Sequence, residues 1–413
     1  VTDLETRVAA PPAPPPPAPL PRRAVPALVG YAAVRVLGLV VLAVWSAARG
    51  KSALTLLTAR WDSLWYTRVA ELGYGYRVRL PNGDVHSDLA FFPLLPWLER
   101  GLHAVTPLSY AHAGLVVSLV ASLAAAAGIY AVAEHVYGRR VGVCAVLLWA
   151  VLPVAVVQSM AYSESLFTAL AAWALYALLT GRWVSAGLLA ALAGLTRPVG
   201  GAVVAAVWTA AAISFVRERS AARTDGVRRT AHAPSGTAGA STRVPFLFTL
   251  RRLLGVLIAP LGAAGYVLWV GRRTGGGPFG YLDVQAGWRN GFDGGYAFAR
   301  FVADKFTSFP SALAGAGLIA GVALLLWLYV SGVRRGQPVE LLVYTGIVLA
   351  LALCASSYFG SKPRLLLPAF PVLLPLAEAL ARLRTSRSAL VTAALAIVSA
   401  VYGAFWLNGS GPP

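Results

Sequence analysis

The sequence predicts an all-α polytopic membrane protein, and three observations carry the prediction. Of 413 residues, 58% are hydrophobic and only 12% are charged, a balance foreign to a soluble globule. The apolar residues gather in runs near the ~20 residues a helix needs to cross lipid, where backbone N–H and C=O groups must satisfy one another within the segment. The basic residues behind the formal net charge of +19 lie in short connections between those runs. That scatter excludes a soluble basic module for nucleic acid and reads as orientation signal plus contact with anionic membrane lipids.

Taken in order, residues 1–25 start polar and continue as PPAPPPPAPLPRR, which cannot pack a core and reads as an extended cytoplasmic arm. The run 26–48 is too long for a signal-peptide core and follows Arg22 and Arg23, so it reads as a retained anchor with its N-terminus inside. Further runs at 111–133, 141–160, 165–180, 184–196, 199–216, 253–271, 308–331, 339–357, 364–381 and 388–408 bring the expectation to about eleven spans in one domain over 26–408. Pro198 leaves 184–216 open to two readings, a pair of short helices or one kinked helix; one helix would put the basic block 217–252 outside, against the charge rule, so the pair is preferred. That block, rich in Ser, Thr, Ala and Gly, reads as a flexible cytoplasmic loop. On this count Arg139, Arg140, Arg182, Arg334, Arg335, Arg382, Arg384 and Arg387 all face the cytoplasm, while the opposite loops mix bases with Asp62, Glu71, Asp84, Asp88, Glu99, Glu164, Asp283, Asp293 and Asp304. The expected setting is the plasma membrane, with an extracytoplasmic site. Cys144 and Cys354 lie inside apolar runs without metal-ligand spacing.

Chemistry concentrates in the first outer loop. Trp61, Leu64, Trp65, Val69 and Leu72 form one helical stripe, the pattern of a short helix lying in the interface. Two roles are open to Asp62: capping the start of that helix, or acting as a general base with one oxygen free. Trp61 and Tyr66 flank it as candidate substrate contacts. His86 and Asp88 are close enough to share a metal, yet two residues make a weak site, and no cofactor is indicated. LAFFPLLPWLER is broken by Pro93 and Pro96 and reads as re-entrant or interfacial. Glu164, in AYSES, either pairs with an arginine or serves the site, with Tyr162 and Ser163 offering hydroxyls. Arg197, Lys362 and Arg364 either snorkel to headgroups or grip a phosphate. The outer loop 272–305, with GGGPFGYLDVQAGWRNGFDGGY, is too long for a plain connector; Gln285, Trp288 and Arg289 either rest on headgroups or close over a sugar.

WDSLWYTRVAELGY, LAFFPLLP, SMAYSESLF, GLTRPVG, YLDVQAGW and SKPRLLLPAFPVL, in that order across most of 26–408, resemble the PIG-V family, the second mannosyltransferase of glycosylphosphatidylinositol assembly, and its bacterial relatives. The resemblance implies a GT-C-type membrane glycosyltransferase that takes a hexose, expected to be mannose, from a polyprenyl-phosphate carrier. In such enzymes an acid of the first outer loop is the base, and the matching position here is Asp62. One displacement would invert the anomeric centre, and the acceptor is left open. The competing class is a transporter or flippase for a lipid-linked or small polar solute, which places its charges near the bilayer midplane on broken helices. Here only Arg35 is charged within the body of a span, where it would pair or snorkel.

Overall fold

The computed structural model describes residues 19–231, 246–356, 358–409 and 411. Most of the expected N-terminal arm lies outside them, but its last residues are already helical. Helix α1 (Leu20–Ala48) starts with Pro21 in its first turn, where the missing N–H costs no hydrogen bond. A short α2 (Ala53–Thr58) and α3 (Asp62–Leu72) follow, then an antiparallel pair, β1 (Arg77–Arg79) and β2 (Val85–Ser87), in which Val78 faces His86. The bundle continues with α4 (Leu94–Val105), α5 (Tyr110–Tyr137), α6 (Arg139–Ala150), α7 (Glu164–Leu179), α8 (Trp183–Gly194), α9 (Gly201–Ala231), α10 (Phe246–Ile258) and α11 (Leu261–Thr274). A small irregular region holds α12 (Gly280–Gly287), β3 (Gly291–Phe292) and α13 (Tyr296–Asp304), before α14 (Ser311–Arg334) and α15 (Val339–Cys354). Strand β4 (Ala355–Ser356) pairs with β3; α16 (Lys362–Leu365), α17 (Leu374–Arg382) and α18 (Thr385–Leu407) close the chain.

The fold is all-α and polytopic, and each of the expected apolar runs is helical, though not as one rod each. Among the described residues six stretches are long and apolar enough to cross a bilayer: α1, α5, the first part of α9, α10 with α11, α14 and α18. The others are short or broken. The run 141–160 is not one span: α6 stops at Ala150 and the chain turns through Pro153 into a 3-10 turn, Ala155–Ser159. The run 364–381 is likewise two pieces, bent by 76°, in a stretch that holds Pro363, Pro368, Pro371 and Pro375. The run 184–216 is two helices, α8 and α9, joined through a 3-10 turn, Pro198–Gly200. Within 217–252, expected as flexible loop, α9 extends to Ala231 and α10 begins at Phe246; the remainder lies outside the described residues.

Broken spans leave carbonyls that lipid cannot satisfy, and the chain answers with side chains. Arg35 on α1 neither snorkels nor finds an acid; its guanidinium donates to the carbonyls of Ala150 and Ala155, on either side of the α6 break. Gln158 Nε2 donates to the Trp149 carbonyl at 2.8 Å, and Tyr31 OH holds the Gln158 side chain at 3.1 Å. Trp149, fully buried, stacks on Tyr31 and donates its indole N–H to Leu367.

Helix–helix packing relies on small residues, as expected where apolar burial gives no preference for protein over lipid. A Cβ on Gly255 would lie 2.3 Å from the Trp183 carbonyl oxygen, and one on Gly262 only 1.8 Å from that of Ala191, so α8 lies directly against α10 and α11. At one end of the bundle Arg23 pairs with Glu134 at 3.0 Å, Arg140 donates to the Leu383 carbonyl, and Arg335 and Arg382 share Glu378. The opposite end carries Asp62, Glu164, Arg197 and Arg364.

Candidate active site

The site is built where helices start or stop. Asp62 is the first residue of α3, following a turn over residues 60–63 in which Ser63 N–H donates to the Arg60 carbonyl at 3.3 Å. Trp61 occupies φ 52° and ψ −119° in that turn. These angles belong to the first central position of a type II′ turn, ordinarily glycine, and a side chain there costs about 1–3 kcal/mol. Local capping falls to Ser63, whose Oγ accepts from Arg60 N–H at 2.9 Å and donates to Arg60 O at 2.7 Å. Asp62 is not the N-cap; its Oδ2 lies 2.6 Å from Arg364 Nη2, with 24% of its side chain still exposed. On α3 the positions buried in protein are Ser63, Tyr66, Val69 and Ala70, whereas Leu64 and Leu72 of the expected interfacial stripe are exposed. Tyr66 faces inward because the rest of the site offers its hydroxyl a partner.

That partner is Ser163, 2.7 Å away, in the segment that leads into α7. Arg197, just before the Pro198 break, donates to Ser163 Oγ at 3.1 Å and pairs with Glu164 at 2.7 Å. Arg364 lies 3.7 Å from the same Glu164 oxygen and packs 5.0 Å from the centre of the Tyr162 ring. Two carboxylates and two guanidiniums thus alternate, Asp62–Arg364–Glu164–Arg197, and balance in charge. Burial without pairing would make each prohibitively costly. Glu164 and Arg364 are buried, and Arg364 Nε and Nη1 have no hydrogen-bond partner.

One turn along α3 from Asp62, Trp65 opens an aromatic shelf. Trp65 stacks on Phe91 at 5.5 Å and meets Trp288 edge-on at 4.9 Å; Trp288 stacks on His86 at 3.9 Å. Phe91 also touches Tyr66 edge-on at 5.1 Å, which joins the shelf to the charged network. Partial burial lowers the His86 pKa from its usual value, Asp84 opposing the shift. Half-exposed aromatic faces beside a carboxylate suit the apolar faces of a sugar ring.

The remaining candidates sit elsewhere. Asp88 turns inward, its Oδ2 accepting from the N–H groups of Gly75 and Tyr76 at 2.9 and 2.8 Å, so it fixes the loop ahead of β1. Among the described residues no three His, Cys, Asp or Glu side chains gather as metal ligands. Gln285 bonds Tyr281 and Asn290 within its own loop, and Arg289 pairs with Asp84 at 2.6 Å. Lys362 donates to the carbonyls of Ala352 and Ala355 at 2.8 and 2.7 Å, capping α15 between Phe298 and Phe359. Of twelve residues expected at the site, Asp62, Tyr66, Tyr162, Glu164, Arg197 and Arg364 are brought together, with Trp61 alongside; His86 and Trp288 form the shelf. Ser163 as the bridge between Tyr66 and Arg197 went unforeseen, as did Phe91 under Trp65, although Trp65 on the predicted stripe was a signal for the latter.

No curated protein matches the chain. Among solved structures, ArnT from Cupriavidus metallidurans bound to undecaprenyl phosphate is similar at 16% identity and a TM-score of 0.48, over 86% of this chain and 61% of that one. The archaeal oligosaccharyltransferase AglB from Archaeoglobus fulgidus, in complex with an inhibitory peptide and a dolichol-phosphate, is similar at 12% identity and a TM-score of 0.45, over 93% of this chain and 56% of that one. The chain thus spans less than two thirds of the length of these structures. By sequence, residues 88–227, which include Asp88, Tyr162, Glu164 and Arg197 but neither Asp62 nor Arg364, match the family described as dolichyl-phosphate-mannose-protein mannosyltransferase.

Proposed function

We propose that this chain is an integral membrane glycosyltransferase of GT-C type, similar to the PIG-V family, that moves a hexose, mannose in our reading, from a polyprenyl-phosphate carrier to an acceptor hydroxyl at the extracytoplasmic face. The observation that carries the reading is the Asp62–Arg364 pair: a partly exposed carboxylate 2.6 Å from a buried guanidinium whose Nη1 faces Glu164 at 3.7 Å and whose Nε has no hydrogen-bond partner. The match of residues 88–227 to a family that uses a lipid-phosphate sugar supports it.

In this reading Asp62 takes the proton of the acceptor hydroxyl, whose oxygen attacks the anomeric carbon from the face opposite the phosphate. The bond from that carbon to the phosphate oxygen breaks, its electron pair stays on the phosphate, and the anomeric centre inverts. Arg364, backed by Glu164 and Arg197, receives the developing negative charge. Half-exposed Trp65, Trp288 and His86 give the hexose ring a stacking surface one helical turn from the base.

A solute transporter is the weaker reading, because the charge in the body of a span, Arg35, is committed to main-chain carbonyls. The deciding experiment incubates membranes holding the wild type or Asp62→Asn with radiolabelled polyprenyl-phosphate mannose and extracted lipids. Label transfer by the wild type alone supports the proposal. Equal transfer by both removes Asp62 from the role of base, and solute flux in vesicles without any sugar transfer overturns the reading.

A further inference from the structure

The strained turn ahead of Asp62 has a specific holder. Arg60 lays its guanidinium 3.8 Å from the centre of the Trp61 ring and donates from Nη1 to the Leu407 carbonyl at 2.7 Å and from Nη2 to that of Gly409 at 3.3 Å. Those carbonyls belong to the last turn of α18 and its exit, where helix geometry leaves C=O groups unpaired. The same exit is pinned twice more: Lys51 Nζ donates to the Asn408 carbonyl at 2.7 Å, and Asn408 Nδ2 donates to Ser46 Oγ on α1 at 3.1 Å. The main chain of Arg60 is equally engaged, its carbonyl accepting from Ser63 N–H, Ser63 Oγ and, at 3.5 Å, Tyr162 OH.

A tryptophan does not remain at a glycine position of a type II′ turn unless its surroundings over-determine it. Arg60 carries several of the contacts that do so here, beside the Leu64 N–H bond to the Trp61 carbonyl at 3.2 Å and the packing of the Trp61 ring on the cluster that holds Leu56, Leu57 and Tyr162. The Arg60 side chain anchors to α18, its face holds the Trp61 ring, and its carbonyl ties the turn to Ser63 and to Tyr162, whose ring lies against Arg364. Relaxing Trp61 to negative φ would swing the first turn of α3 and carry the Asp62 carboxylate away from Arg364.

We propose that Arg60 is a positioning residue: anchored on the C-terminal turn of α18, it holds Trp61 in its left-handed conformation and so aims Asp62. That this geometry serves catalysis rests on the function proposed above; the holding itself does not. The test is a double-mutant cycle over the wild type, Arg60→Ala, Trp61→Gly and the double variant, read by sugar transfer and by melting temperature in detergent. With Trp61 in place, Arg60→Ala should lower turnover by about 10- to 100-fold at unchanged donor KM, the cost of a displaced catalytic group. Glycine adopts positive φ unaided, so with Gly at position 61 the same Arg60→Ala change should cost less than about threefold in turnover, and its loss of melting temperature should shrink as well. Arg60→Lys, which keeps the charge but loses the planar fork that lies on the Trp61 ring and reaches both carbonyls, should fall between the wild type and Arg60→Ala.

Equal losses from Arg60→Ala in both backgrounds, in turnover and in melting temperature, would overturn the proposal. If Trp61→Gly alone abolishes transfer, the melting-temperature cycle decides. Asp62→Asn run alongside keeps the questions separate: unchanged transfer by that variant would defeat the base assignment, while the melting-temperature cycle would still judge the clamp.

Discussion

Asp62 and its neighbours divide the labour of one small volume, and substitutions separate their roles. Asparagine at position 62 keeps an oxygen for Arg364 but cannot take a proton, so Asp62→Asn should lower sugar transfer by about 10²- to 10⁴-fold; it also leaves the network around buried Arg364 one positive charge in excess, so the melting temperature should fall as well. Arg364→Lys replaces a planar fork with a single ammonium that cannot span Asp62 and Glu164 together; transfer should drop by about 10²- to 10³-fold, with a raised donor KM. His86 offers a pH signature. Partial burial against Trp288 holds its pKa below the free value, so between those two values the unfolded chain binds the proton more readily than the folded one. Stability should therefore fall as pH drops through about 6.5 toward the folded value, and His86→Gln should flatten that slope in a melting-temperature series. The sequence announced Asp62, Glu164, Arg197 and Arg364 because charge at the edge of an apolar run is conspicuous. It gave Lys362 the same appearance, since a cation at a helix start looks alike whether it meets a ligand or the carbonyls of Ala352 and Ala355. Arg60 stayed hidden for a related reason: its partners are the carbonyls of Leu407 and Gly409, and a main-chain acceptor leaves no mark in sequence.

Among the elements, the packing of α8 on α10 and α11 makes the sharpest prediction. A methyl at Gly262 would collide with the Ala191 carbonyl, backbone against backbone, so Gly262→Ala should force α11 off α8 and cost about 1–3 kcal/mol, read as a lower melting temperature in detergent. Gly317→Ala on α14, where nothing lies within 4 Å of the added methyl, should be neutral or slightly stabilising. Proline marked the break at Pro198, but not those at Pro153 or at Pro368 and Pro371, which lie in runs expected as single spans. The protein-facing side of α3 was not legible either: its apolar stripe pointed only to a face toward the interface, while the Tyr66 hydroxyl bond to Ser163 turns the edge with Ser63 and Tyr66 toward protein. In a membrane setting an apolar side chain loses little by facing lipid, so a buried hydroxyl with a partner decides the rotation. The break after α6 is less legible because Pro153 stands alone inside an otherwise apolar run, and its compensation by Arg35 comes from a helix more than a hundred residues away.

At the scale of the whole molecule, Arg23, Arg140, Arg335 and Arg382 make their contacts at one end of the bundle and the candidate site lies at the other. Orientation in the membrane follows as a prediction. Asn82→Cys, at the exposed tip of the β1–β2 hairpin, should react with an impermeant thiol reagent in intact cells; Cys354→Ser in the same chain removes the other accessible thiol. Labelling only after lysis would reverse the assignment.

The hairpin is also tied to a distant partner: Trp288 donates to the Ser87 carbonyl across 201 residues, Arg289 holds Asp84, and Arg60 reaches Leu407 across 347. None of these bonds can form until the later segments have left the ribosome and entered the bilayer. The aspartate at position 62 emerges early, but its arginine partner at 364, the indole over its shelf and the helix end that anchors its turn all arrive afterwards. A growing chain therefore carries the acid, without the charges and surfaces that give it a task, until every segment up to α18 has followed, and the assembled site appears only when α18 is threaded.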